Sequence, residues 1–143
     1  RHRLAEWLVV SLLGMDLYKA YVEAHRLEHG MSQEFQEKLM EKLGYPDRSP
    51  FGRPIPGTGA PAILPGSLTL EDASANVAYV VDRVPEEDIM LLKFLADALI
   101  LPGNEISVDE AAPYLGVIMV ASGGNRVPIG YNVASQILVR PSA

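Results

Sequence analysis

The chain has 143 residues, enough for one domain or two very small ones, and 48% hydrophobic with 21% charged is ordinary for a globular protein. No stretch reaches the roughly 18 apolar residues of a membrane span, and the opening Arg1-His2-Arg3-Leu4-Ala5-Glu6 lacks the apolar segment of a signal peptide, so a cytoplasmic location is expected. A net charge of -6 argues against a surface built around nucleic acid, and the absence of cysteine excludes disulfides and thiolate metal sites.

The sequence begins without Met and enters at once into a helical pattern, which reads as a piece of a longer protein. Residues 3–13 place Leu4, Trp7, Leu8 and Leu12 on one helical face, with Gly14 as the stop. Asp16 is the expected N-cap of a second helix running to about His29, with Leu17, Ala20, Tyr21, Ala24 and Leu27 inward and Gly30 at its end. Ser32 is expected to cap a third helix whose inner side chains are Phe35, Leu39, Met40 and Leu43. About 44 residues rarely bury enough surface to stand alone, so the broad apolar faces of the first and third helices point to a homodimer through residues 1–44.

Residues 45–66 read as a linker, because six of the eleven prolines fall there and forbid a helix or an inner strand. Within it, DRSPFGRPIPG at 47–57 places proline and an aromatic as if to pack on a surface, whereas TGAPAILPG beyond it reads as mobile. From Ser67 the period changes to two. Strands are expected at 75–84, 105–111, 116–121, 126–129 and 136–140, with a helix over Pro85–Ala98, a hairpin turn at Gly123-Gly124 and a short helical turn at Val133-Ala134. Five short strands and one helix over 67–143 fit a small barrel, so the predicted class is α+β: three helices, a linker, and a barrel of the kind that hosts binding more often than catalysis.

All three histidines lie in the first 29 residues. At about 100 degrees per residue, His25, Glu28 and His29 fall on one face of the second helix, and His2 and Glu6 are one turn apart on the first. Two helices thus offer nitrogen and oxygen ligands of the kind that suit a divalent first-row metal. The same letters, HRLEH at 25–29, spell the H-x-x-E-H pattern of a zinc peptidase. That chemistry needs a third protein ligand from a later segment, yet no histidine follows and the motif runs into Gly30, so the match is read as chance and no enzyme is expected.

Taken together, RHRLAE at 1–6, GMDLYKAYVEAHRLEHGMS at 14–32 and RSPFGRPIPG at 48–57 resemble the diphtheria toxin repressor family of metal-dependent transcriptional regulators. The remainder is similar to the SH3-like domain shared with the ferrous-transport A proteins. The resemblance implies a three-helix dimerisation and metal-binding segment followed by an SH3-like barrel, with Fe(II) or Mn(II) as the cofactor. It also implies a winged helix-turn-helix ahead of Arg1, through which alone the DNA operator is read, and some metal ligands supplied from there, so that the primary site of this chain alone is expected to be weak. By motif, Glu28 and His29 match two primary-site ligands, while His25 stands where iron-type members have Cys and manganese-type members have Glu. His2 matches a His ligand of the second site, and Glu6 its companion. Tyr21 replaces a further His of the iron type. Asp88 is the nearest counterpart of a barrel ligand, and Leu91, at the next candidate position, cannot ligate. A stand-alone ferrous-transport A-like adaptor of a transporter is the competing expectation, distinguished by what is encoded upstream.

Overall fold

The computed structural model describes residues 1–142, with Glu110–Pro113 described by their backbone alone. Helix α1 (His2–Trp7) runs into a π-turn at Leu8–Leu12, where the Leu13 amide donates to the Leu8 carbonyl at 3.0 Å. The expected single α-helix over 3–13 is therefore loosened halfway, a distortion that widens each turn by one residue. Gly14, at φ +66°, then reverses the chain.

The second helix starts later than its sequence suggests. Asp16 accepts no capping bond; its carboxylate instead takes the Tyr18 hydroxyl at 3.2 Å and lies 3.5 Å from Lys19. A 3-10 turn at Leu17–Lys19 leads into α2 (Ala20–Leu27), and a second 3-10 turn closes it at Glu28–Gly30. Ser32 does cap α3 (Gln33–Lys42), its hydroxyl accepting from the Phe35 amide at 3.0 Å. Leu4, Ala5, Ala24, Met31 and Leu39 form the small core of these helices. Leu12, Leu27 and Phe35, expected inward, remain substantially exposed on the single chain.

The rest is one antiparallel sheet in the order β1-β6-β2-β3-β4-β5, from β1 (Leu68–Thr69), β2 (Ala78–Arg83), β3 (Glu105–Ala112), β4 (Val117–Ser122), β5 (Asn125–Gly130) and β6 (Leu138–Pro141). The two-residue β1 is too short to leave a periodic signal and was not expected. Strand β2 begins only at Ala78, after Asn76 takes φ +63°. Gly123 and Gly124, at φ +57° and +82°, turn β4 into β5 as a twist-matched two-residue hairpin demands. Helix α4 spans Ile89–Asp97 and not 85–98, because Asp88 is extended and its carboxylate accepts from the Leu91 amide at 3.1 Å. Asp is a strong N-cap, and its capping bond fixes the start of the helix beyond Pro85. A four-residue α5 (Tyr131–Ala134) precedes β6. The curled sheet over α4 is the small SH3-like barrel, and the class is α+β.

Helices and barrel share one core: Val9 and Ala20 are buried in the same cluster as Phe51, Leu70, Leu92, Leu95, Ile106 and Ile137. Phe51 reaches it from the proline-rich segment, which docks as a strap. The Phe51 carbonyl accepts from the Val84 amide at 3.1 Å, and the Trp7 indole donates to the Arg48 carbonyl at 2.6 Å. Arg3 donates to the Pro54 carbonyl as well. Farther along, Arg48 and Arg83 hold the carbonyls of Pro61 and Ala62. The strap lies on a bulge of β2 between Val81 and Arg83, where a Cβ on Gly52 would sit 1.7 Å from the Asp82 carbonyl oxygen. Only glycine permits that approach, and the approach fixes where the chain leaves β2.

Candidate metal centre

His2, at the N-terminus of α1, is the pivot. Its Nδ1 lies 3.2 Å from Glu28 Oε2, and its Nε2 3.5 Å from Glu6 Oε2. Around Glu28 the structure gathers the other two imidazoles, with His25 Nδ1 and His29 Nε2 each 3.7 Å from Oε1. Among the described residues, two groups bring donor atoms within 4.8 Å of one another: His2 with His25 and Glu28, and His2 with Glu6 and Glu86. His29 flanks the first group with its side chain 76% exposed, and Asp88 belongs to neither, its carboxylate being spent on the α4 cap.

The two groups differ in environment. The first lies between helices, with Glu28 half-covered and His25 exposed, beside a cleft of about 360 Å³ whose lining includes Tyr21 and Arg53. The ring of Tyr21, where a further His ligand is the alternative, packs 4.8 Å from the His2 ring, centroid to centroid. The second group is more enclosed: Glu6 is fully buried and Glu86 is 3% exposed, with His2 and Glu86 at the wall of the same cleft. Both Glu6 oxygens, Glu86 Oε2 and His2 Nε2 are buried without a hydrogen-bond partner. Buried polar atoms are normally satisfied, and four orphans facing one point mark a place where a cation or proton belongs.

Burial, then the Glu86 carboxylate facing it, push the Glu6 carboxyl up to about 9, while Arg3 and Arg53 pull the other way. Glu86 is also raised, by burial first, against the pull of Arg53, whose Nε lies 3.9 Å away. The pair therefore shares a proton at neutral pH. Burial lowers His2 more than Glu28 raises it, which keeps the imidazole neutral and able to ligate. Nitrogen and carboxylate donors, a neutral imidazole and orphaned buried oxygens fit a divalent first-row ion.

Sequence spacing brought His25, Glu28 and His29 together, and His2 with Glu6, but not Glu86. In PEED at 85–88, Glu86 reads as one of several acids at a helix start. It reaches α1 because the helix starts at Ile89 and because the strap fixes the exit of β2, neither of which leaves a periodic trace.

Residues 1–57 match the family described as iron dependent repressor, metal binding and dimerisation domain, and residues 68–141 match the FeoA domain. The chain is 35% identical over 151 residues to the iron-dependent repressor IdeR of Mycobacterium tuberculosis, covering 97% of this chain and 65% of that protein. It is 51% identical over 150 residues to the diphtheria toxin repressor of Corynebacterium glutamicum, covering 97% and 64%. The chain thus spans somewhat under two thirds of these relatives. Among solved structures, a manganese-dependent transcriptional repressor in complex with manganese superposes with a TM-score of 0.87 at 31% identity, over 99% of this chain and 68% of that one. A second manganese-dependent transcriptional repressor gives 0.85 at 30% identity, over 99% and 78%. With two domain families in this order, and relatives of this kind along nearly its whole length, the chain belongs to the diphtheria toxin repressor family of metal-dependent repressors.

Proposed function

We propose that this chain is the metal-sensing and dimerising part of a transcriptional repressor responsive to Fe(II) or Mn(II), located in the cytoplasm and without enzymatic activity. The observation that carries the reading is the convergence of His2, His25 and Glu28, from two helices, on one point. His2, Glu6, His25, Glu28, His29 and Glu86 are the residues that would hold the ion, with Glu86 rather than Asp88 as the barrel's contribution. A bound dication supplies positive charge where carboxylates face one another.

The chain's own part is linkage. His2 belongs to α1, His25 and Glu28 to α2 and the turn beyond it, and Glu86 to the barrel, so ions held by the two groups that share His2 favour one mutual arrangement of these elements over the others. Leu12, Leu13, Leu27 and Phe35, exposed on the single chain, supply the apolar surface for a homodimer through residues 1–44. With a net charge of -6, operator contact is assigned to the winged helix-turn-helix that the family resemblance implies, and not to these residues. The adaptor reading leaves the imidazole cluster without a task, and the peptidase reading lacks a general base free of the metal, since Glu28 is itself among the donors.

Sedimentation with and without Mn(II), Fe(II) and Co(II) under reducing conditions, paired with isothermal titration, tests this. A dimer that forms without metal, binding all three weakly and losing that binding in Glu28→Gln, is expected. A monomer that binds none of them would refute the reading.

A further inference from the structure

The sheet ends in β1 on one side and β5 on the other, and neither has a strand beyond it. β1 has two residues, too few to template a neighbour, whereas β5 has six. Which groups β5 offers follows from its hairpin. Residues flanking a two-residue turn exchange both backbone bonds, so Ser122 with Asn125, Val120 with Val127 and Ile118 with Ile129 are the bonded pairs of this ladder. The backbone groups of the residues between them, Arg126, Pro128 and Gly130, therefore point away from β4. They take no backbone partner elsewhere among the described residues. Arg126 and Gly130 each present a free N–H and a free C=O, while Pro128 presents a C=O alone.

An open edge is a template for an extended strand, and the strand always at hand is β5 of a second copy. Two such edges related by a two-fold axis pair antiparallel, and the register that uses every outward group sets Pro128 opposite itself, with Arg126 opposite Gly130 on either side. Both bonds of the central pair are then lost, and two pyrrolidine rings meet where the strands must approach to about 5 Å. Within the barrel the same proline does no harm, because its missing amide faces away from β4. One position earlier, at Val127, it would break the bond to Val120. The other usual guard, a charge at the edge, is weak here: Arg126 reaches back over β4 to Asp109 at 2.6 Å and so carries its charge over the sheet.

We propose that Pro128 closes the β5 edge against the β5 of a second copy and so confines self-association to the helical segment. The consequence of opening that edge rests on the homodimer read above. A two-fold dimer carries two β5 edges, so opening them would let dimers add end to end into open chains. A monomeric chain would stop at a pair.

Pro128→Ala restores the amide while removing apolar surface, so any association it gains cannot come from added hydrophobicity. Pro128→Thr, a better strand former, repeats the measurement should the alanine variant unfold. Sedimentation velocity over a concentration series, in chelator, is paired with amide hydrogen exchange of β5 in the variants and the unaltered chain. The variants are expected to reach at least about twice the mass of the unaltered chain, with the Arg126 and Gly130 amides slowed about tenfold or more. In the unaltered chain those two amides are expected to exchange freely. Variants that sediment as the unaltered chain does, at an unchanged unfolding temperature, would overturn the proposal. Growth without slowed exchange at Arg126 and Gly130 would do so too, because the new contact would then lie elsewhere. Slow exchange of both amides in the unaltered chain would overturn it without any substitution, since the edge would already be paired. The mass of the unaltered chain, monomer or dimer, judges the homodimer reading separately, and growth of a variant past a pair is expected only where that chain is a dimer.

Discussion

Replacing Glu6 by Gln removes one titrating proton from the interior, and the structure fixes the sign of the resulting change in stability with pH. In the folded chain the Glu6 carboxyl keeps its proton up to about 9, whereas in the unfolded chain it releases it near 4.5. Between those values the folded state binds more protons than the unfolded one, so stability is fully present below 4.5 and falls as pH rises through 9. One proton corresponds to a slope of about 1.4 kcal/mol per pH unit. His2 acts in the opposite sense: its lowered value means that the unfolded chain takes up the extra proton, so its contribution is lost as pH falls below 6.5. Working from about pH 7 to about pH 8.5 keeps His2 neutral in both states and leaves Glu6 as the main variable, giving an expected loss of about 2 kcal/mol. Gln mimics the protonated carboxyl, including a donor for Glu86, and has no proton to lose on unfolding, so the variant should already be the more stable near neutrality and widen its lead by about 2 kcal/mol at the alkaline end. Urea unfolding in the presence of a chelator, followed by far-ultraviolet circular dichroism at both pH values, measures the difference directly. Parallel pH profiles, differing by less than about 0.5 kcal/mol over the window, would show that Glu6 is ionised in the folded chain and would refute the shared-proton account.

Gly52→Ala is expected to undock the strap, because its Cβ would sit 1.7 Å from the Asp82 carbonyl oxygen and 2.8 Å from the Arg83 Cα, backbone that cannot swing aside. A cost of about 3 kcal/mol or more in thermal unfolding is expected, and a variant as stable as the parent would show that the segment does not rest on the bulge. Asp88→Ala removes only the α4 cap, at about 1 kcal/mol, and is expected to leave Mn(II) affinity unchanged; a tenfold loss of affinity would make Asp88 a ligand after all.

What could be read from the sequence divides along a physical line. Ser32 as a cap, the Gly123-Gly124 hairpin and the shared face of His25, Glu28 and His29 are decided by residues within a few positions of one another, and all are present as expected. The burial of Phe51 was legible for a related reason: an aromatic among prolines has little other use. Where distant groups compete, local signals misled. Asp16 is a good cap by type but spends its carboxylate on Tyr18 and Lys19, and the acids at 86–88, alike in sequence, end up with different tasks. Asp88 caps a helix, while Glu86 is driven into the interior by a strap more than thirty positions earlier in the chain.

That burial would be costly if nothing compensated it. Two carboxylates in a closed space repel, and the nearby Arg3 and Arg53 offset their charge only in part, as the raised values of both acids show. A chain selected for stability alone would fill this seam with apolar side chains, as it does a few residues away with Val9, Ala20 and Phe51. The seam instead demands a positive charge from outside, and a proton and a dication are the two available forms. On the proposed reading, the same frustration that makes Glu6 hold a proton would make the junction between helices and barrel responsive to metal, because whatever neutralises the pair also strengthens the contact across it. Sensing requires such an unsatisfied contact in the resting chain: had the seam been complete without the ion, the ion would have had no preference between arrangements and could not have shifted them.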